Sequence, residues 1–280
     1  MGEILGYTFF QYALIGVVLI SISSAIIGTY IVTRRMTAIA GGITHACFGG
    51  LGLGYFFGVS PLAMATVFAV ASSAGVEWLS ARQRIREDSA IAAVWAVGMA
   101  IGVMFVFLTP GLAPDLNSFL FGNILTITLS DLVAFAVFTV VLILFFVLFF
   151  DKIVATAFDK DFARVSGMPV RLISMVMTVM VAVCIVLTIR LIGIMLLMSM
   201  LSLPQMIAEI RYHHFKEIMF CSIVVSLVVC VASLFIAAVI DVPCSPIIVI
   251  LLTVVYIVGK VIQSVAERRK NNKQHIARVK

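Results

Sequence analysis

Apolar runs of about twenty residues recur along this chain, separated by short intervals where arginine and lysine gather, and that pattern leaves few folds open. A bilayer core of about 30 Å is crossed by roughly 20 helical residues, and backbone inside it must satisfy its own hydrogen bonds. Each run therefore reads as a membrane helix. Composition closes the soluble alternatives: 63% of the 280 residues are hydrophobic, 11% are charged and the mean hydropathy is +1.21, whereas soluble domains are about a quarter charged. The expected fold is all-α and integral to the membrane, a polytopic bundle of eight or nine helices forming one domain over 1–265, with a basic tail over 266–280.

The basic clusters set orientation. Arg34 and Arg35 close the first run (about 9–32), Arg82, Arg84 and Arg86 follow the third (62–80), and ERRKNNKQHIARVK follows the last (247–265). Lys and Arg concentrate in cytoplasmic loops, so the amino terminus is expected outside and the carboxyl terminus in the cytoplasm. This placement also accounts for the net charge of +6 without nucleic acid as a partner. MGEILGY lacks the basic start of a signal peptide, so no segment is expected to be removed.

Further runs cover 36–58, 89–108, 132–150 and 218–240. The segment at 132–150 is nearly pure Val, Leu, Ile and Phe and is predicted to face lipid. Before it, LAPDLNSFLFGNILTITLSD reads as an outer loop and a partial or re-entrant helix. The apolar stretch 172–210 is long enough for two crossings with a tight outer turn near Arg190.

Catalytic signatures are missing. No GxxxxGK[ST] phosphate loop, HExxH zinc helix or GxSxG elbow occurs, so the chain is read as non-enzymatic, with any ATP hydrolysis on a partner. Five cysteines, four inside apolar runs, write neither a disulfide framework nor a CxxC metal site.

Among the ionisable groups, His45 stands out, because an imidazole within a membrane helix is costly and either faces a bundle interior or water-filled path or, beside Thr44, hydrogen-bonds a neighbouring helix. Imidazole is also a common ligand for divalent metals. Gly41 and Gly49 lie four residues to either side on the same helical face, with Gly52 beyond. That bare strip fits a close helix seam or an open passage. Glu77 reads as a residue snorkelling toward the basic cluster, and His213 and His214 in RYHHFKE as solvated. Met195, Met198 and Met200 fall on different faces and read as packing. FDKDFARVSGMPVR reads either as a solvated loop or as a short helix from Asp159 to about Ser166, ended by Gly167 and Pro169 and suited to docking a soluble partner.

RRMTAIAGGITHACFGG resembles the segment of the metal-ion ABC importer permeases in which an arginine pair precedes a Gly-Asp-x-x-Ser-His-Ala core and a Pro-Gly. REDSAIAAVWAVGMAIG, FLFGNILTITLSDL, FDKDFARVSGMPV, RLIGIMLLMSMLSLPQMIA and DVPCSPIIVIL resemble later blocks in the same order, so the resemblance covers most of the chain. It implies the type II ABC importer permease architecture in a bacterial plasma membrane, assembled as a homodimer or pseudo-homodimer. The implied partners are an ATPase that binds ATP on the cytoplasmic side and a solute-binding protein outside. No cofactor is implied in the chain itself, and the cargo would be zinc, manganese or iron.

The resemblance carries to individual positions. His45 matches the family histidine and Thr44 its serine, while Gly41 stands at the family aspartate and Gly49 at its proline. The segment 159–167, with Asp159, Asp161, Arg164 and Gly167, matches the element that couples to the ATPase. Arg190 and Gly193 match a basic residue and a glycine opening a core helix, and Pro204 its proline. The missing aspartate keeps a permease for a metal chelate, such as a siderophore or cobalamin, as an alternative. A gradient-driven secondary transporter would need membrane carboxylates, of which the runs hold little beyond Glu77.

Overall fold

The computed structural model describes residues 6–82, 86–110, 127–240 and 242–279, and among these the regular structure is helical throughout. In chain order the helices are α1 (Thr8–Thr33), α2 (Thr37–Phe57), α3 (Pro61–Arg82), α4 (Glu87–Leu108) and α5 (Leu129–Phe158). They continue as α6 (Lys160–Val165), α7 (Val170–Met200), α8 (Leu203–Ala208), α9 (Phe215–Ile240) and α10 (Cys244–Val279). Six stretches, α1, the main parts of α4 and α10, α5, α7 with α8, and α9, are long and apolar enough to cross a membrane. The 21-residue α2 and 22-residue α3 are less apolar but also long enough to cross at 1.5 Å per residue.

The ends of these helices carry local signals. After α1, Arg35 adopts φ 56°, and the amides of Arg35 and Met36 return to the carbonyls of Val32 and Ile31. That is the doubly bonded helix stop usually completed by glycine. Gly58 ends α2 in the same way at φ 66°, with amides 58 and 59 bonding back to Tyr55 and Gly54. Helix α5 opens on a reciprocal cap, in which the Thr128 hydroxyl accepts from the Asp131 amide and the Asp131 carboxylate accepts from the Thr128 amide.

Contacts fix which ends lie together. Arg190 Nε donates to Asp131 Oδ1 at 2.8 Å, tying the far part of α7 to the start of α5. Phe150 packs edge-on against Phe215, placing the start of α9 beside the other end of α5. Phe235 meets Phe10 near the start of α1.

Traced through these contacts, α7 runs from the basic end toward the opposite end, and the chain then reverses. The reversal is at Gly193, whose φ of 78° and ψ of 170° only glycine adopts without strain. The return is divided: helix resumes to Met200, breaks at Leu201 and Ser202, and continues as α8, whose Gln205 lies against Ser24 and Gly28 of α1. The Ile192 carbonyl freed at the break accepts from the Ser245 hydroxyl of α10 at 3.3 Å. The outer turn expected near Arg190 thus lies three residues on, where the backbone can make it.

Two expectations for α5 are corrected. The helix expected to stop near Phe150 continues through Asp151 and Lys152 to Phe158, because charged residues do not break a helix leaving the apolar layer. Its axis bends at Phe149, which sits outside helical geometry at φ −118°. Nor is this helix given wholly to lipid. Val140, Val147 and Leu148 point outward, but Phe135, Leu142, Phe146 and Ile153 are buried, and Thr139 bonds to Ser23 of α1 at 2.9 Å. Helix α10 continues through the basic tail to Val279. The loop and partial helix expected before α5 fall largely on 111–126, outside the described residues.

The bundle forms around α2. Its widest interface is with α4, followed by α3, and in both the backbones approach closely. A side chain at Gly52 would strike the Gly102 backbone, one at Gly50 the backbone of Met64 and Ala65, and one at Gly54 Pro61. Such contact supplies dispersion where lipid offers no hydrophobic drive for helix association.

Candidate functional site

His45 lies eight residues into α2, about 12 Å along its axis. It is the one partly buried member of a run of otherwise buried residues from Ile39 to Leu51. Its ring stacks on Trp95 of α4, with centroids 4.6 Å apart and planes 12° from parallel. Stacking covers a face and leaves both nitrogens at the ring edge, where they have no hydrogen-bond partner among the described residues.

The residues around it separate into two roles. Thr44 is buried, and its hydroxyl donates to the Ala40 carbonyl at 2.6 Å, so it serves its own helix. Gly49 faces Phe68 of α3 and the Gly98 carbonyl of α4, which makes it part of the packing seam rather than a passage. Gly41 differs: a Cβ there would lie 2.6 Å from Cε and 3.3 Å from Sδ of Met198, on the returning pass. The position matched to a family aspartate is therefore covered by a thioether.

The remaining expected residues are dispersed. Pro204 is buried at the start of α8. His213 and His214 are exposed between α8 and α9, and the Glu77 side chain lies outside the described residues. Met195 is 58% exposed while Met200 is fully buried with the Cys230 thiol 3.6 Å from its sulfur, so the methionines point in different directions as expected. Among the described residues no three His, Cys, Asp or Glu side chains converge as a metal cage.

A second site lies at the basic end. Asp159 caps α6, its carboxylate accepting from the amides of Asp161 and Phe162 at 2.9 Å each. Gly167 at φ 76° closes the helix, with amides 167 and 168 bonding back to Arg164 and Ala163, and Pro169 precedes α7. Arg164 pairs with Asp161 at 3.3 Å on the surface. Ala163 is fully buried and anchors the helix, while Phe162 (62%) and Val165 (90%) are exposed. Beside it, a cleft of about 840 Å³ is lined by Trp78, Lys160, Arg164, Arg171 and Met175. Exposed apolar side chains grouped on a charged surface mark an interaction site.

Sequence reasoning missed Trp95, Asp131 and Ser245. Trp95 left one signal, a tryptophan well inside a span instead of at the interfacial belt where this residue collects.

The long apolar helices define a multi-pass membrane protein. The chain matches the ABC 3 transport family over residues 6–263 and belongs to it. It is 35% identical to an uncharacterized membrane protein of Synechocystis over 74% of each chain. It is 34% identical to a probable metal transport system membrane protein of Chlamydia pneumoniae, over 84% of this chain and 83% of that one. In three dimensions it resembles PsaBC from Streptococcus pneumoniae, solved with a Fab, with a TM-score of 0.82, 25% identity and coverage of 92% and 93%. A metal-chelate type ABC transporter in an inward-facing conformation shares the fold at a TM-score of 0.72 and 14% identity, covering 89% and 84%.

Proposed function

We propose that this chain is the membrane subunit of an ATP-driven importer of divalent metal ions (zinc, manganese or iron), passing its cargo beside His45. The relatives named for metal transport support the cargo class. The observation that carries the mechanism is α6, a capped helix that holds Phe162 and Val165 in the open at the basic end of a chain without a phosphate loop. An ATPase closing on ATP pushes on this helix, and α7, joined to it through Met168 and Pro169, transmits the displacement toward the bundle. The chain itself hydrolyses nothing. Its basic end faces the cytoplasm of a bacterial plasma membrane, and a solute-binding protein delivers metal to the opposite end.

A single imidazole holds an ion weakly. A homodimer about an axis normal to the membrane supplies a second His45 to the same path, and an incomplete ligand set suits passage, since an ion must also leave. Replacing His45 by alanine abolishes metal accumulation while the ATPase still copurifies; import at the wild-type rate overturns the cargo role. Neutralising Asp161 and Arg164 together lowers ATPase copurification and transport, and intact coupling removes α6 from the reading. The bare Gly41 favours one alternative, passage of a chelated metal, which predicts accumulation only when the chelator is supplied.

A further inference from the structure

Gly41 and Met198 form a fitted pair. The glycine leaves a notch on α2, and the end of the methionine on the returning pass fills it, with Cε 2.6 Å and Sδ 3.3 Å from where a Cβ would stand. Residues four apart share a helical face, and helical side chains lean toward the amino-terminal turn. The His45 ring therefore overhangs the turn where the thioether lies. Both side chains are only partly buried, and the imidazole nitrogens have no other partner among the described residues.

Resting on the reading that cargo passes His45, we propose that Met198 supplies the second donor of that site, so that one protomer presents an imidazole and a thioether. This pair favours borderline and soft cations such as Zn²⁺ over hard Mn²⁺, which prefers carboxylate, carbonyl and water oxygens. Neither donor carries charge, so the ion is held weakly enough to move on. Met198 is thus a specificity-determining side chain as well as the filler of the Gly41 notch.

The filler role alone makes a different prediction. Leucine and methionine exchange at nearly constant volume, so Met198→Leu preserves packing and removes only the sulfur. The experiment measures zinc and manganese accumulation, element by element, in cells carrying the whole transporter at matched membrane levels. Wild type is expected to favour zinc, and Met198→Leu to lower the zinc-to-manganese ratio about tenfold, the lower end of what removing even a supporting group costs a metal site. Gly41→Asp, which displaces only the flexible end of Met198, is expected to shift the ratio the same way by adding an oxygen ligand. A Met198→Leu ratio equal to wild type overturns this inference while leaving metal import in place. A wild type that accumulates neither metal overturns the reading of His45 as well.

Discussion

Helix α6 and the turn of α2 around His45 are built in opposite ways. Everything that shapes α6 lies within eleven residues of chain: the Asp159 cap, the buried Ala163, the left-handed Gly167 and the following Pro169. The surroundings of His45 are assembled from far along the sequence, with Trp95 from α4 against the ring and Met198 from the returning pass over Gly41. A local element can be made and unmade by changes in its own residues. A site held between helices depends on backbones that approach closely elsewhere, and the glycine seam of α2 is what lets α4 come near enough to bring Trp95 to the ring.

This contrast predicts a ranking of stabilities. The largest effect is expected at the seam, where Gly52→Val would force apart the backbones of α2 and α4 at Gly102. Overpacking of this kind costs about 3 kcal/mol or more, and unfolding of the detergent-purified permease should show it as a clear fall in Tm. A Tm shift smaller than that of either α6 variant below would break the comparison. Gly167→Ala meets no neighbour within 4 Å, so only backbone strain is added, about 1–2 kcal/mol for a left-handed non-glycine residue. Its cost should fall mainly on the coupling between ATP hydrolysis and transport, with a smaller fall in Tm than Gly52→Val gives. Asp159→Ala removes the cap for about 1 kcal/mol and should speed hydrogen exchange at the amides of Asp161 and Phe162. Asp159→Asn retains a capping oxygen and should leave exchange slow; equal exchange in both variants would show that the cap does not order α6.

The same contrast explains what could be read before the structure. The short helix at 159–167 was legible because its cap, its stop and its proline are neighbours in sequence. The membrane class and the basic loops were legible because apolar runs and charge clusters are properties of short windows. Sequence ends this helix at Phe150 because the charged Asp151–Lys152 pair looks like a loop, while the backbone continues as helix outside the apolar layer. Charge places the reversal at Arg190, but it occurs at Gly193 because positive φ decides it. At His45 the residue itself was legible but its company was not. The glycines around it fitted a seam or a passage equally well, and only the positions of Phe68, Gly98 and Met198 divide them.

The division of the returning pass has a consequence for how the protein is made. Even fully helical, residues 194–208 would extend about 22 Å at 1.5 Å per residue, short of the roughly 30 Å apolar layer. An insertion machine meeting this stretch alone would find no span to release into lipid. The stretch therefore has to enter with α7 as a hairpin pivoting on Gly193, and the surfaces that receive it are already made: Gln205 lies against Ser24 and Gly28 of α1, and Met198 against Gly41 of α2.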